Sequence, residues 1–230
     1  MFLYLIRHGD PDYENDCLTD LGRRQAQLVG GRLSREGITE IYSSPMGRAR
    51  ETAAPLAKLL GLPVGIEDWA HEIDVTTGGD GQGFSERLCV NTPTYLLRAD
   101  EMLRRGDRFF EDALFEGTPA EEQIRTVTQG ADRFLERLGL LREGALYRKV
   151  PSSDGKDPHE RVVALFCHGG MGVTLLGHLC GIPAPLAWAN AMFDTTGVTK
   201  LWFQEYGETP LTSPRVIYQN STCHLKEDRI

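Results

Sequence analysis

Two histidines in this sequence each follow an apolar run and precede a glycine, and together they could do nucleophilic chemistry. His8 comes after residues 2–6 and the cation Arg7, and His168 comes after residues 161–167. Apolar runs of this length, rich in aliphatic and aromatic residues, predict buried strands. Because open α/β sheets bind ligands at the carboxyl ends of their strands, we expect both imidazoles at one edge of one sheet.

A third stretch adds positive charge, because it predicts a short strand that runs into a helix near Ser44. Ser44 suits the N-cap of this helix and Pro45 its first helical position. Arg48 then lies in the first turn, beside free backbone N–H groups and the positive end of the helix dipole, which predicts an anion site. Arg48 shares a helix face with Thr52, whereas Arg50 does not, so we expect Arg50 at the surface.

The composition indicates one globular domain and argues against several classes of partner. The chain has 230 residues, of which 40% are hydrophobic, and its formal net charge is −8. This charge argues against nucleic acid as a partner, and no apolar stretch approaches the ~20 residues that a membrane span requires. The first residues lack a basic leader, and five scattered cysteines indicate reduced thiols, so we expect a cytoplasmic protein.

Four motifs between residues 3 and 172 resemble those of the histidine phosphatase superfamily, in particular its phosphoglycerate-mutase-like branch. They are Arg7-His8-Gly9, Leu18-Thr19-x-x-Gly22-x-x-Gln25-Ala26, Ser43-Ser44-Pro45-x-x-Arg48-Ala49-x-x-Thr52-Ala53 and His168-Gly169-Gly170. The acid phosphatase and phytase branch usually has Asp after its second histidine, where this chain has Gly169. The resemblance implies an α/β fold with a mostly parallel central sheet and helices on both faces. It also implies a single domain of residues 1–230. Apolar residues spaced among charges at about residues 76–118 predict an inserted helical segment, which would either pack against the main body or act as a lid over the phosphate pocket.

The resemblance further implies a reaction, in which a small phosphomonoester is hydrolysed through a phosphohistidine intermediate on His8. Arg7, Arg48 and a protonated His168 would stabilise the charge on the phosphoryl group in flight. The backbone N–H of Gly169 would assist them. With this much positive charge from side chains, we expect no metal and no cofactor.

In the resembled family a glutamate near this point of the chain donates a proton to the leaving group. Glu72, which is followed by Ile73, is the best match, and Glu67 and Asp68 are the competing candidates. As a general acid, Glu72 would protonate the leaving oxygen and would then take a proton from water in the second step.

The loop after the first motif departs from the family pattern. Family members often carry an Asn seven residues after the arginine, where it helps to hold the phosphate. Here that position is Glu14, and Asn15 is one residue further on. The substrate-binding set that the resemblance implies is Arg7, Gly9, Asn15, Arg48 and Gly169.

The sequence leaves two functions open beside the phosphatase. A phosphoglycerate-type mutase would use the same chemistry, with the substrate rather than water attacking the phosphohistidine. A regulatory module that binds a phospho-ligand would do no chemistry, although all five proposed catalytic side chains are present. In each case the expected partner is a small phosphorylated metabolite, and the amphipathic insertion could pair two subunits as a homodimer.

Overall fold

The computed structural model describes residues 1–74, 104–111 and 115–226. Its strands are β1 (Phe2–Arg7), β2 (Pro11–Asp12), β3 (Cys17–Leu18), β4 (Glu40–Ser43), β5 (Val64–Ile66), β6 (Leu140–Glu143), β7 (Leu146–Lys149), β8 (Val162–Cys167), β9 (Val198–Phe203), β10 (Leu211–Thr212) and β11 (Pro214–Ser221). Its helices are α1 (Asp20–Leu33), α2 (Gly47–Leu60), α3 (Ala120–Arg137), α4 (Gly169–Cys180), α5 (Ala184–Asn190) and α6 (Cys223–Lys226).

A six-stranded sheet forms the centre of the molecule, with its strands in the order β11-β9-β1-β8-β4-β5. Strands β1, β8, β4 and β5 run parallel to one another. Strand β9 is antiparallel to β1, and β11 is antiparallel to β9. In this register Arg7 lies opposite Cys167, and Ser43 lies opposite Phe166. The carboxyl ends of β1, β8 and β4 therefore meet at one edge, which we call the carboxyl edge.

Helices cover both faces of the sheet. Because successive side chains along a strand point to opposite faces, one strand contributes to two core clusters. From β1, Leu3 and Leu5 join a core cluster with residues of α3 and α4. Tyr4 and Ile6 join a second cluster with residues of α1 and α2. The predicted α/β fold, with a mostly parallel central sheet and helices on both faces, is confirmed.

The helix that follows β4 begins later than the sequence predicts. Its N-cap is Met46, which makes no side-chain cap hydrogen bond, and Gly47 is the first helical residue. Ser44 does not cap the helix with its hydroxyl, which instead accepts a hydrogen bond from the backbone N–H of Met46 at 3.2 Å. The helix ends at Gly61, whose φ of 66° is left-handed, and it runs through Pro55 as one continuous element.

The predicted insertion at about residues 76–118 falls mostly outside the described residues. Within them, Gly106–Glu111 form a 3₁₀ helix. Phe109 of this segment is buried, and its ring packs edge-on against Phe115 and Trp188. The lid-like role and the domain organisation stay predictions. No helix in the described part of the chain is long and apolar enough to cross a membrane.

Candidate active site

The two predicted histidines meet at the carboxyl edge. Their ring centroids lie 5.2 Å apart with an interplanar angle of 61°. His8 is 1% exposed and His168 is 0% exposed, and the N–H of His8 donates to the carbonyl of Cys167 at 3.0 Å. Parallel pairing of β1 with β8 thus brings together two residues that are 160 positions apart in the sequence.

The tautomer of His8 follows from its hydrogen bond. Its Nδ1 lies 2.7 Å from the carbonyl oxygen of Gly9, which can only accept, so Nδ1 carries the hydrogen. The lone pair of the neutral ring is then on Nε2. Burial, together with the charges of Arg7 and Arg48, lowers the pKa of His8 to about 4, although the Gly9 bond opposes this shift. His8 is therefore neutral at pH 7 and has the lone pair that a nucleophile needs.

Gly9 itself is required by a close approach of two backbones. A Cβ at Gly9 would lie 2.7 Å from the carbonyl oxygen of Gly22 in α1, a distance that real Cβ atoms do not show. The N–H of Gly9 donates to Thr52 Oγ1 at 3.0 Å, and Thr52 donates to the carbonyl of Arg48. The Gly9 position therefore joins the first motif to α1 and α2, rather than only leaving room beside His8.

His168 is held by Ser44, a contact that the sequence did not reveal. His168 Nε2 lies 2.7 Å from Ser44 Oγ, and His168 Nδ1 is buried without a hydrogen-bond partner. Burial lowers the pKa of His168 well below its usual value, and the charges of His8 and Arg48 act in the same direction. The expected protonated His168 is thus not favoured in the unliganded protein. With Ser44 donating to Nε2, the neutral ring keeps a free Nδ1–H donor.

Together with burial, the charges of Arg7 and Arg48 lower the pKa values of the two histidines. Arg7 Nη1 donates to the carbonyl of Phe193 at 2.6 Å, and Arg48 Nη1 donates to Asp16 Oδ1 at 2.5 Å. In both side chains Nε is buried and has no hydrogen-bond partner. Each guanidinium is therefore held by a hydrogen bond from Nη1, and its Nε–H remains available to donate to a ligand.

The surroundings of Arg7 and the position of Arg50 agree with their predicted places. A Cβ built on Gly169, the first residue of α4, would lie 3.5 Å from the Arg7 guanidinium, which places Gly169 beside it. Arg48 is 4% exposed, whereas Arg50 is exposed. The shared helix face of Arg48 and Thr52 therefore identified the arginine that turns inward.

The side chain of Glu72 lies at the amino end of α4, the helix that begins directly after His168. Its Oε1 accepts from the N–H groups of Ile73 at 3.0 Å and Met171 at 2.9 Å, and its Oε2 accepts from Gly170 at 3.4 Å. These bonds fix a carboxyl group at the carboxyl edge.

The two competing acids lie elsewhere. Glu67 forms an ion pair with Arg137 and accepts from Trp69 Nε1 at 2.8 Å, so its two oxygens already have partners. Asp68 is exposed. Of the three predicted acids, Glu72 is the one placed beside the second motif.

Asn15, predicted to bind the substrate, has a side chain that bonds within its own loop. Its side chain is exposed, and Nδ2 donates to Asp12 Oδ2 at 2.8 Å. The loop residue that forms an ion pair with Arg48 is Asp16, which was not among the residues predicted for the site. Its backbone φ of 47° is left-handed, and this conformation carries no strong sequence signal in an Asp.

In the described part of the chain, no group of three or more His, Cys, Asp or Glu side chains is placed to hold a metal ion. Cys167, next to His168, is fully buried, and burial raises the pKa of its thiol to about 12. Cys167 is therefore a core residue. The chemistry at this edge is therefore that of imidazole, guanidinium and carboxyl groups.

This chain is similar to known proteins over most of its length. The family model of the histidine phosphatase superfamily (branch 1) matches residues 3–87. A probable phosphoglycerate mutase of Photorhabdus laumondii is 35% identical over 191 residues, which cover 79% of this chain and 76% of the relative.

Two solved structures share the fold over nearly the whole chain. A mycobacterial glucosyl-3-phosphoglycerate phosphatase with inorganic phosphate superposes with a TM-score of 0.62 at 25% identity, covering 97% of this chain and 98% of that one. A phosphoserine phosphatase of Entamoeba histolytica in complex with 3-phosphoglyceric acid has a TM-score of 0.62 at 22% identity, with coverage of 97% and 98%. The likeness to the second structure concerns the fold alone.

Proposed function

This chain belongs to the histidine phosphatase superfamily, and we propose that it is a phosphatase that hydrolyses a small phosphomonoester without a metal, through a phosphohistidine on His8. One observation carries the proposal. Among the described residues, three buried nitrogens at this edge lack partners, namely Arg7 Nε, Arg48 Nε and His168 Nδ1. A buried polar group without a partner costs about 1–3 kcal/mol, and a bound tetrahedral oxyanion would satisfy all three.

In the first step, His8 Nε2 attacks phosphorus, and the bond from phosphorus to the leaving oxygen breaks. The Nδ1–H bond to Gly9 aims the lone pair and stabilises the positive charge that the ring acquires. Arg7 and Arg48 match two phosphate oxygens with planar donor forks. Glu72, protonated in the enzyme–substrate complex, gives its proton to the leaving oxygen.

In the second step, Glu72 takes a proton from water as the water oxygen attacks phosphorus. The phosphorus–nitrogen bond breaks, inorganic phosphate leaves and His8 returns to its neutral form. The proton that Glu72 lost in the first step is restored in the second, so the cycle balances. The equatorial oxygens carry charge throughout, which is where Arg7, Arg48 and His168 act.

A second candidate is a mutase, in which the dephosphorylated substrate rather than water attacks the phosphohistidine. The relative that favours it is the 35% identical protein of Photorhabdus laumondii, whose name is that of a mutase. In either case we propose a small phosphorylated metabolite as the partner and the cytoplasm as the location. The net charge of −8 opposes binding to nucleic acid.

A turnover panel tests the proposal. The purified protein is incubated with an aryl phosphate, phosphoserine and 3-phosphoglycerate, each with and without EDTA, while free phosphate and positional isomers are measured. We expect phosphate release that EDTA does not reduce. Isomerisation of 3-phosphoglycerate without phosphate release would establish the mutase. Phosphate binding without turnover would establish a non-catalytic module, and activity restored by Mg²⁺ or Zn²⁺ after EDTA would reject the metal-free route.

A further inference from the structure

The two active-site arginines share one arrangement of their nitrogens. In each, Nη1 donates to a protein oxygen while Nε is buried without a partner. Nη1 lies on the Cδ side of a guanidinium, so Nε and Nη2 form the opposite, side-on edge. In Arg48, Nη2 contacts Met46 Sδ at 3.4 Å, and a thioether is a weak acceptor. The side-on edge of Arg48 is therefore the one that a phosphate could bind bidentately.

Asp16 makes this arrangement at Arg48. One carboxylate oxygen accepts from Arg48 Nη1 at 2.5 Å, and the other accepts from the backbone N–H of Gly47 at 2.7 Å. The ring of Tyr13, from the same loop, lies 5.4 Å from Arg48 Cζ. The guanidinium is thus held at its Nη1 end by a carboxylate and over its face by an aromatic ring.

The loop is fitted closely to the start of α2. A Cβ at Gly47 would lie 2.1 Å from the carbonyl oxygen of Asp16, so only glycine allows this approach. Since Met46 provides no side-chain cap, the Asp16 carboxylate satisfies a free N–H group at the helix start instead. Asp16 is therefore anchored by the helix backbone independently of Arg48, and it can act as a fixed support.

We infer that Asp16 is a positioning residue: it holds Arg48 so that the Nε–Nη2 edge faces the substrate phosphate. The inference rests on the proposed function of this site. The side chain of Asp16 is 43% exposed and that of Arg48 is 5% exposed, so the carboxylate takes the outer end of the guanidinium and leaves the buried edge inside.

An acid so close to an anion site could act in the opposite way, by competing with phosphate for Arg48. The two roles predict effects of opposite sign. If Asp16 positions Arg48, its removal weakens phosphate binding, because Arg48 loses its orientation. If Asp16 competes, its removal strengthens phosphate binding, because a like charge leaves the pocket.

The experiment measures binding of inorganic phosphate by calorimetry and kcat/KM on an aryl phosphate. For Asp16→Ala we expect both the affinity and kcat/KM to fall by about tenfold to a hundredfold, the range typical of a misplaced site group. The matched control is Glu14→Ala, which removes the same charge from an exposed position of the same loop and should change both values less than about twofold. Unchanged or tighter phosphate binding by Asp16→Ala overturns the inference.

A double-mutant cycle with Arg48 separates positioning from a general effect on the fold. If Asp16 acts through Arg48, then Asp16→Ala has no further effect on phosphate affinity in an Arg48→Ala background. Losses that multiply in the double variant would show that Asp16 acts elsewhere. Phosphate binding also distinguishes the two failures. A wild-type protein that binds phosphate but turns over no ester refutes the proposed phosphatase, while the binding data still decide the role of Asp16.

Discussion

Buried arginines occur at both edges of the central sheet, and they are treated in opposite ways. At the amino edge, Arg161 precedes β8 and is 2% exposed, and its two terminal nitrogens donate to Glu40 and Asp154. At both edges the arginine Nε is buried without a partner, so the edges differ in what the terminal nitrogens contact. At the carboxyl edge, Arg7 donates to a backbone carbonyl, and Arg48 donates to one carboxylate and a thioether. One edge neutralises its cation with two carboxylates, whereas the other brings two cations, which share a single carboxylate partner at Arg48, close to two imidazoles.

The difference shows which buried charges stabilise the fold and which are kept for a ligand. A buried charge is tolerated when it is paired, so Arg161 is explained within the protein. At the carboxyl edge, burial lowers the pKa values of both histidines, and the charges of Arg7 and Arg48 act in the same direction. We therefore expect substitutions at the carboxyl edge to affect turnover, and substitutions at the amino edge to affect stability.

The largest expected effect is at His8. His8→Asn retains a side-chain N–H that could donate to Gly9 but lacks the Nε2 lone pair, so kcat/KM on an aryl phosphate should fall at least about a thousandfold. The melting temperature at pH 7 should stay close to that of the wild type. The matched control is His159→Asn near the amino edge, where His159 pairs with Glu205, and it should keep its activity. Retention of labelled phosphate on protein in the His8 variant would place the nucleophile elsewhere.

Arg161 should show the reverse pattern. Arg161→Met fills similar space but leaves Glu40, whose side chain is 14% exposed, without its ion-pair partner. Breaking a buried pair in this way costs about 3 kcal/mol or more of unfolding free energy, measured by urea denaturation. Activity per folded molecule should not change. Adding Glu40→Gln removes the unpaired charge and should restore part of the loss. A drop in kcat/KM with unchanged stability would break the contrast between the two edges.

Glu72 is the residue at the carboxyl edge that we expect to transfer a proton rather than to bind the charge of the phosphate. Glu72→Gln cannot donate a proton, so turnover of an alkyl phosphate should fall about a hundredfold, and that of an aryl phosphate with a good leaving group by less than tenfold. Glu67→Gln is the control, because Glu67 pairs with Arg137 and should affect both substrates equally. Equal losses on the two substrates in the Glu72 variant would remove it as the general acid.

Contacts that depend on strand direction could be predicted from the sequence, whereas contacts that depend on loop conformation could not. The two His-Gly motifs end parallel strands, so pairing of β1 with β8 was sufficient to bring His8 to His168. Helix periodicity was likewise sufficient to select Arg48. The contact of Asp16 with α2 depends on a left-handed backbone and a tertiary approach to Gly47, and neither follows from local propensity. Similarly, Ser44 was predicted as a helix cap from its local sequence. Its hydroxyl instead contacts a histidine 124 residues away, which no local pattern shows.

The smallest expected effect is on the pH dependence of stability. His8 in the folded protein has a pKa of about 4, and an unfolded histidine has a pKa near 6.5. Between these values the unfolded state binds more protons, so stability falls as the pH falls. At the amino edge, burial opposes ionisation of Asp154, but hydrogen bonds from Arg161 and its other neighbours hold its pKa below the usual value. Burial lowers the pKa of His159 near the same edge, so His159 acts in the same direction as His8, and the His8 variant is needed to isolate the share of His8.

From pH 7 to pH 5, His8 alone should therefore remove about 2 kcal/mol of unfolding free energy. His8→Asn cannot take up the proton, so its stability should decline less over this range by about that amount. Urea denaturation of both proteins at pH 7, 6 and 5 measures the difference. Parallel curves for the variant and the wild type would mean that His8 protonates normally in the fold, so that neither burial nor the charges of Arg7 and Arg48 hold it neutral.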